Sequence, residues 1–181
     1  ATLTGITISG ATTAAVPTKN NTTSVNLTAT ASYDGSTTGN VTNAATWSID
    51  GTYAGVAVSN GVVTIQPSAA AGEVTIKAEY NGKDNTHKIT LSKAAATLTK
   101  LTISGNDSVS VPGEYTYTAS GEDQYGESIS TGSVTWGIEG TTPTGVSIGS
   151  SDGKLSITNS AEAGSVTIKA TSGVASATKT V

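Results

Sequence analysis

Residues 1–10 read ATLTGITISG and residues 96–105 read ATLTKLTISG: one segment met twice, 95 positions apart, with eight of ten residues unchanged. Self-similarity at a long spacing decides the organisation of a chain before any local reading does. The landmarks that follow recur in the same order. Val16-Pro17 answers Val111-Pro112, and Val25, Leu27 and Ala29 answer Tyr115, Tyr117 and Ala119. Thr46-Trp47 answers Thr135-Trp136, and Gly55-Val56 answers Gly145-Val146. The turn Asn60-Gly61 answers Asp152-Gly153, and the run from Ala71 to Ala78 answers that from Ala163 to Ala170. The chain therefore reads as two copies of one module, over 1–93 and 97–181, each of the size of a small folding domain.

Within the opening segment, Thr2-Leu3-Thr4-Gly5-Ile6-Thr7-Ile8 alternates hydroxyl and aliphatic residues, as Val25–Ala29 and Val74–Ala78 alternate further on. Such a period of two describes a sheet with one dry and one wet face. No window shows apolar residues at helical spacing. Turn dipeptides (Asp34-Gly35, Asp50-Gly51, Asn60-Gly61, Asn81-Gly82, Asp152-Gly153) divide the chain into short strands. The expected strands lie near 2–9, 24–32, 44–50, 56–58, 62–66, 73–80 and 86–92, then near 97–104, 108–111, 115–121, 133–139, 146–149, 154–158, 165–171 and 174–181. Seven or so short strands per copy predict an all-β protein of two tandem immunoglobulin-like β-sandwiches. The segment Ser92–Thr97 (SKAAAT) between the copies holds neither Gly nor Pro and predicts limited bending.

Composition narrows the function classes. Apolar residues make up 35% of the chain, with no Phe, Met or Cys, so the core must be built from Val, Ile, Leu, Ala, six Tyr and two Trp. Lack of Cys removes disulfides, thiol catalysis and Cys-based zinc sites. All nine basic residues are Lys, and the net charge of −4 falls entirely in the second copy. Without a basic patch to neutralise phosphates, nucleic acid is not an expected partner. No apolar run approaches the roughly 18 residues that span a bilayer. Opening directly on a strand, the sequence reads as a segment of something larger.

The stretches Ala29–Ser36 and Val41–Ser48, followed by Val58–Thr64 and Ala71–Ile76, resemble the bacterial Ig-like domain of group 2. They run in that family's order across nearly all of 1–92. In the second copy, Asp123-Gln124-Tyr125-Gly126 is similar to the "DQYG" loop of Ig-like modules in bacterial surface-layer proteins and adhesins, with Glu127 where Asn is common. The resemblance implies a non-catalytic module of a secreted or cell-surface bacterial protein, with neighbouring domains, copies of the same protein, or cell-wall glycan as partners. Two functional expectations follow from it. One is a structural spacer and protein–protein contact module of a surface-layer-like protein. The alternative is an adhesin, or an accessory binding module of a secreted polysaccharide-active protein.

The side chains able to carry chemistry are few. His87 is the single His, among polar neighbours on an expected strand, and reads as solvent-facing rather than as part of a triad. No glycine-rich phosphate loop opens a helix. Trp47 and Trp136 would serve either as core or as sugar-stacking platforms, and their matched positions favour core. Tyr33, Tyr53, Tyr80 and Tyr125 fall at turns or strand ends, where aromatic rings can meet a glycan. Lys77 and Lys169 fall on wet faces, away from any buried cross-link. No cofactor is expected other than calcium, whose candidate ligands are Glu122, Asp123 and Glu127, three acids within six residues of one loop, with Asp107 or Glu162 as further donors.

Overall fold

A computed structural model describes all 181 residues, and it is all-β, with no helix. The chain forms two compact units, Ala1–Ala95 and Ala96–Val181.

The first unit holds β1 (Leu3–Gly10), β2 (Thr13–Ala15), β3 (Thr23–Tyr33), β4 (Thr38–Asn40), β5 (Thr46–Ile49), β6 (Val56–Ser59), β7 (Val62–Ile65), β8 (Gly72–Tyr80) and β9 (Lys83–Ser92). One sheet runs β1-β3-β7-β6 with β4 on the edge of β3, and the other runs β2-β9-β8-β5. This is the two-sheet strand order of an immunoglobulin-type sandwich. The 11-residue β3 serves three partners, with Thr30–Ser32 pairing with β4. Leu27–Tyr33 pairs with β1, and Thr23–Asn26 pairs with β7. Alternation fixes which face is dry: Val25, Leu27, Ala29 and Ala31 are buried while Asn26 and Thr28 are exposed. Ile6, Ala29 and Ala31 from one sheet meet Ala78 and the half-buried Trp47 from the other.

The second unit holds β10 (Leu98–Ser104), β11 (Gly113–Thr116), β12 (Thr118–Asp123), β13 (Ser128–Ile129), β14 (Thr135–Glu139), β15 (Val146–Ile148), β16 (Lys154–Ile157), β17 (Thr167–Ser172) and β18 (Ala175–Thr180). Its orders β10-β12-β13, β11-β16-β15 and β14-β17-β18 repeat the first unit's connectivity. Here the strand that changes partners is interrupted at Tyr117, whose ring is buried in a core with Trp136, Leu155, Ile168 and Ala170.

Three short strands depart from the expected set. β2, β4 and β13 are two or three residues long and carry no alternation of their own, so only their partners define them. The expected strand at 108–111 does not form. In the first unit the matching residues of β2 pair in parallel with Thr90–Ser92 at the end of β9. In the second unit Val166 exchanges both backbone hydrogen bonds with Val181, at 3.0 and 2.9 Å, as Val74 pairs with Ile89. Val181 is thus the counterpart of Ile89, and no strand lies beside 108–111 as Thr90–Ser92 lies beside β2.

Candidate functional site

The acidic loop is the hairpin between β12 and β13. Its turn closes where Asp123 N donates to Glu127 O at 2.9 Å and Gly126 N donates to Asp123 O at 3.2 Å. Asp123 is only 5% exposed, and its Oδ1 accepts from Tyr125 N at 2.8 Å and Glu127 N at 2.9 Å. An Asp whose side chain caps its own turn in this way acts as a fold element, because it satisfies backbone donors that the turn leaves without partners. Glu122 precedes it on the strand, and consecutive strand residues face opposite sides. Glu127 is exposed. Nowhere does a group of three or more Asp, Glu or His side chains come together in a way that could hold a metal ion. Calcium needs several oxygen ligands around one point, and one oxygen of Asp123 is already engaged by two backbone N–H groups.

The two further donors are also placed elsewhere. Asp107 accepts from Lys179 Nζ, and that hydrogen bond and the lysine's charge hold its carboxyl below the usual range. Glu162 lies in the loop before β17, on the wall of a cleft.

The loop has a counterpart in the first unit. Tyr33 N donates to Thr37 O at 2.9 Å, closing the same turn. At the next position, Asp34 Oδ1 accepts from Thr2 N at 2.7 Å, and Gln124 Oε1 accepts from Thr97 N at 2.8 Å. In both units a side-chain oxygen at the loop tip ties down the residue just before the first strand. A carboxylate does this in one copy and a neutral amide in the other.

The aromatic candidates are turned inward. Trp136 is 7% exposed and belongs to the core. Trp47 is half-buried, with its indole N–H donated to Thr42 O at 2.8 Å. Tyr125 is buried, and Tyr33, Tyr53 and Tyr80 are half-buried. Tyr33 is hydrogen-bonded to Tyr80, which raises its phenol above the usual value. Tyr53 donates to Ala70 O at 3.4 Å beside a small cleft of about 280 Å³. Of the eight aromatic side chains, Tyr117, Tyr125 and Trp136 are buried and the other five are half-buried. His87 is half-buried, with Nε2 3.0 Å from Ala11 O, which makes it a tether between β9 and the segment leading into β2. Lys77 and Lys169 pair with Asp84 and Glu139 at 3.4 and 3.6 Å on part-exposed faces.

A device that sequence reasoning passed over sits under each Trp. Gly61, at φ 77°, lies against Trp47, and Gly153, at φ 65°, lies against Trp136. Gly61 O accepts from Leu27 N at 2.7 Å, and Gly153 O accepts from Tyr117 N at 3.0 Å. These bonds fall where the long strand changes partners. The available signal was the matched spacing of the Trp and the turn Gly in the two copies.

No protein-family profile matches the chain, and no curated protein matches it. Solved structures do. A SusE-like, surface-located polysaccharide-binding protein from the Bacteroides thetaiotaomicron heparin utilisation locus is 14% identical over 97% of this chain and 33% of its own, with a TM-score of 0.36. The S-layer protein SbsC is 18% identical over 99% and 28%, with a TM-score of 0.37. Repeats EC21–23 of human cadherin-23 are 10% identical over 97% and 63%, with a TM-score of 0.46. The chain spans from under a third to under two thirds of these proteins' lengths, and at such similarity they assign it no role.

Proposed function

We propose that these residues form two non-catalytic immunoglobulin-like modules that act as spacers and protein–protein contact surfaces in a bacterial cell-surface protein of surface-layer type. The observation that carries this reading is that the side chains with chemical potential are consumed in holding the fold. Asp123 caps a turn, Asp107 pairs with Lys179, His87 tethers a backbone carbonyl, and both indoles pack inward. What remains outside is largely Thr, Ser, Lys and scattered acids, with a few exposed valines such as Val62 and Val174. The surface location rests on the sequence resemblance of 1–92 to bacterial Ig-like domains. That no helix is long and apolar enough to cross a membrane accords with a module displayed outside it.

The test pairs a glycan array with size-exclusion chromatography and light scattering of the full chain, alone and mixed with other segments of its parent protein. The expected result is no glycan retained above background and association with parent segments. Saturable binding of a cell-wall or plant polysaccharide, lost in Trp47→Ala without loss of folding, would instead establish the accessory binding role.

A further inference from the structure

One sheet of the first unit carries no charge. The strands β1, β3, β4, β6 and β7 hold no Asp, Glu, Lys or His. Every charged strand residue of this unit lies on β8 or β9, in the opposite sheet: Glu73, Lys77, Glu79, Lys83, Asp84 and Lys88. On the uncharged sheet, alternation turns Ser, Thr and Asn outward. Hydroxyls sit side by side across the strands, Thr7 beside Thr30, Ser9 beside Thr28, and Ser24 beside Thr64. Val62 stands among them, 39% exposed.

The second unit shows that this neutrality is not a demand of the fold. Where the first copy has Gly5, Ser24, Ser32 and Val62, the second has Lys100, Glu114, Glu122 and Lys154. Lys154 pairs with Glu114 at 2.7 Å, and Lys100 is registered opposite Glu122 across β10 and β12. The same strands in the same register therefore accept ions on this face, and one copy does without them. Depletion of charge is the compositional mark of the centre of a protein interface.

We propose that the outward face of this sheet docks against the same face of a second copy of the chain. A hydroxyl both donates and accepts, so a face of Ser and Thr is complementary to its own image, as a two-fold contact requires. No like charges meet there. Residues 1–95 hold five acids and five Lys, net zero, whereas the second unit carries the whole −4 and repels its own copy. Short side chains also lose less rotamer freedom on burial than Lys or Glu. Three strands lie abreast along β3, β1-β3-β4 at one end and β3-β7-β6 at the other. At about 3.3 Å per residue and about 4.8 Å per strand, the 11 residues of β3 give a face on the order of 500 Å². A stable pair buries about 800 Å² on each partner, so one contact is weak and gains strength where many copies are held side by side. The inference rests on the contact-module reading above and names its surface and its partner.

The experiment follows the 181-residue chain from micromolar to millimolar concentration by amide NMR shifts and sedimentation equilibrium. Three double variants are compared with it: Ser24→Glu with Ser32→Glu, Ser24→Lys with Ser32→Lys, and, as a control on the opposite sheet, Thr86→Glu with Thr90→Glu. The second copy carries Glu at the first two positions, so folding is expected to survive, and a thermal melt checks it. Concentration-dependent shifts are expected on β1, β3, β6 and β7 only. The acidic pair should weaken self-association by about tenfold or more, as like charges brought together do, and the control should leave it unchanged. An equimolar mixture of the acidic and basic variants should recover the association that each has lost. No association at millimolar concentration overturns the proposal, as does equal weakening by the control or a mixture that recovers nothing. Shifts on this face produced by a neutral β-glucan, with none on concentrating the chain, overturn the second copy as occupant. A chain that binds other segments of its parent protein but not itself removes this inference alone and leaves the contact-module reading in place.

Discussion

Gly153→Ala tests whether the indole and the turn beneath it are the fixed point of the second unit. A Cβ on Gly153 would stand 2.6 Å from Tyr117 O, 2.8 Å from Trp136 Cε2 and 3.1 Å from Trp136 Cζ2. Two costs add. The left-handed backbone at φ 65° costs an L-residue about 1–2 kcal/mol. Forcing a methyl into packed surroundings costs about 1–3 kcal/mol more, because Tyr117 O is backbone and cannot swing aside. Ala restricts the unfolded chain relative to Gly and returns about 0.4–1 kcal/mol. The expected net loss is about 2–4 kcal/mol. Gly173→Ala supplies the control, because Gly173 has φ 57° and nothing within 4 Å of the added Cβ. It should lose about 1 kcal/mol, the backbone part alone. The assay is urea unfolding of the full chain carrying Trp47→Phe, so that Trp136 alone reports and the second unit is seen in isolation. The midpoint should fall at least twice as far for Gly153→Ala as for Gly173→Ala, with slopes unchanged. Equal shifts would refute the steric argument and leave only the backbone conformation.

Trp136→Ala should cost about 3–5 kcal/mol as a large-to-small core change, and Trp47→Ala less, since Trp47 is half-buried; chemical denaturation ranks the two. Asp123→Ala should cost about 1–3 kcal/mol by leaving two turn N–H groups without an acceptor, while Asp123→Asn, which keeps an acceptor oxygen, should lose much less in the same melt. Millimolar calcium against EDTA should leave the melting temperature of the wild type unchanged, and a rise abolished by Asp123→Asn would show that the acids do gather around the ion. Burial first, and then the charge of Asp107, raise the Tyr117 phenol above 10. The folded state therefore holds this proton when the unfolded chain has lost it, so the stability is full below pH 10 and falls as pH rises beyond it. Ultraviolet titration should show Tyr117 ionising only as the second unit unfolds, and Tyr117→Phe should weaken the alkaline loss.

The long strands were legible because each carries its own period of two. β3, β8 and β9 announce a dry and a wet face within their own residues, and the structure extends them by only a few positions. β2 was not legible, since Thr13-Ala14-Ala15 has no pattern and exists as a strand only because Thr90–Ser92 lies beside it. The reverse error at 108–111 has the same cause. Val109 and Val111 supply the alternation, but no strand lies beside them as Thr90–Ser92 lies beside β2. The acidic loop holds a role that charge alone does not announce. Counting charges within six residues weighs carboxylates as ions, whereas the turn uses Asp123 as a hydrogen-bond acceptor buried beneath it. An Asp two positions before one N–H and four before another, ahead of a Gly at positive φ, was the signal for that role.

The duplication separates what the fold needs from what one copy happens to carry. At the loop tip both copies place a side-chain oxygen on the N–H of the Thr just before the first strand, from Asp34 at 2.7 Å and from Gln124 at 2.8 Å. What is held constant is an acceptor and its position, with the charge free to vary. Under the indole both copies hold a Gly at positive φ whose carbonyl accepts from the long strand, although the residue donating is Leu27 in one and Tyr117 in the other. The second copy's excess of acid meets no such geometric requirement. Its net charge of −4 is spread over turn caps, ion pairs with Lys154, Lys169 and Lys179, and exposed positions. A negative surface of this kind favours solubility and sets which neighbours approach.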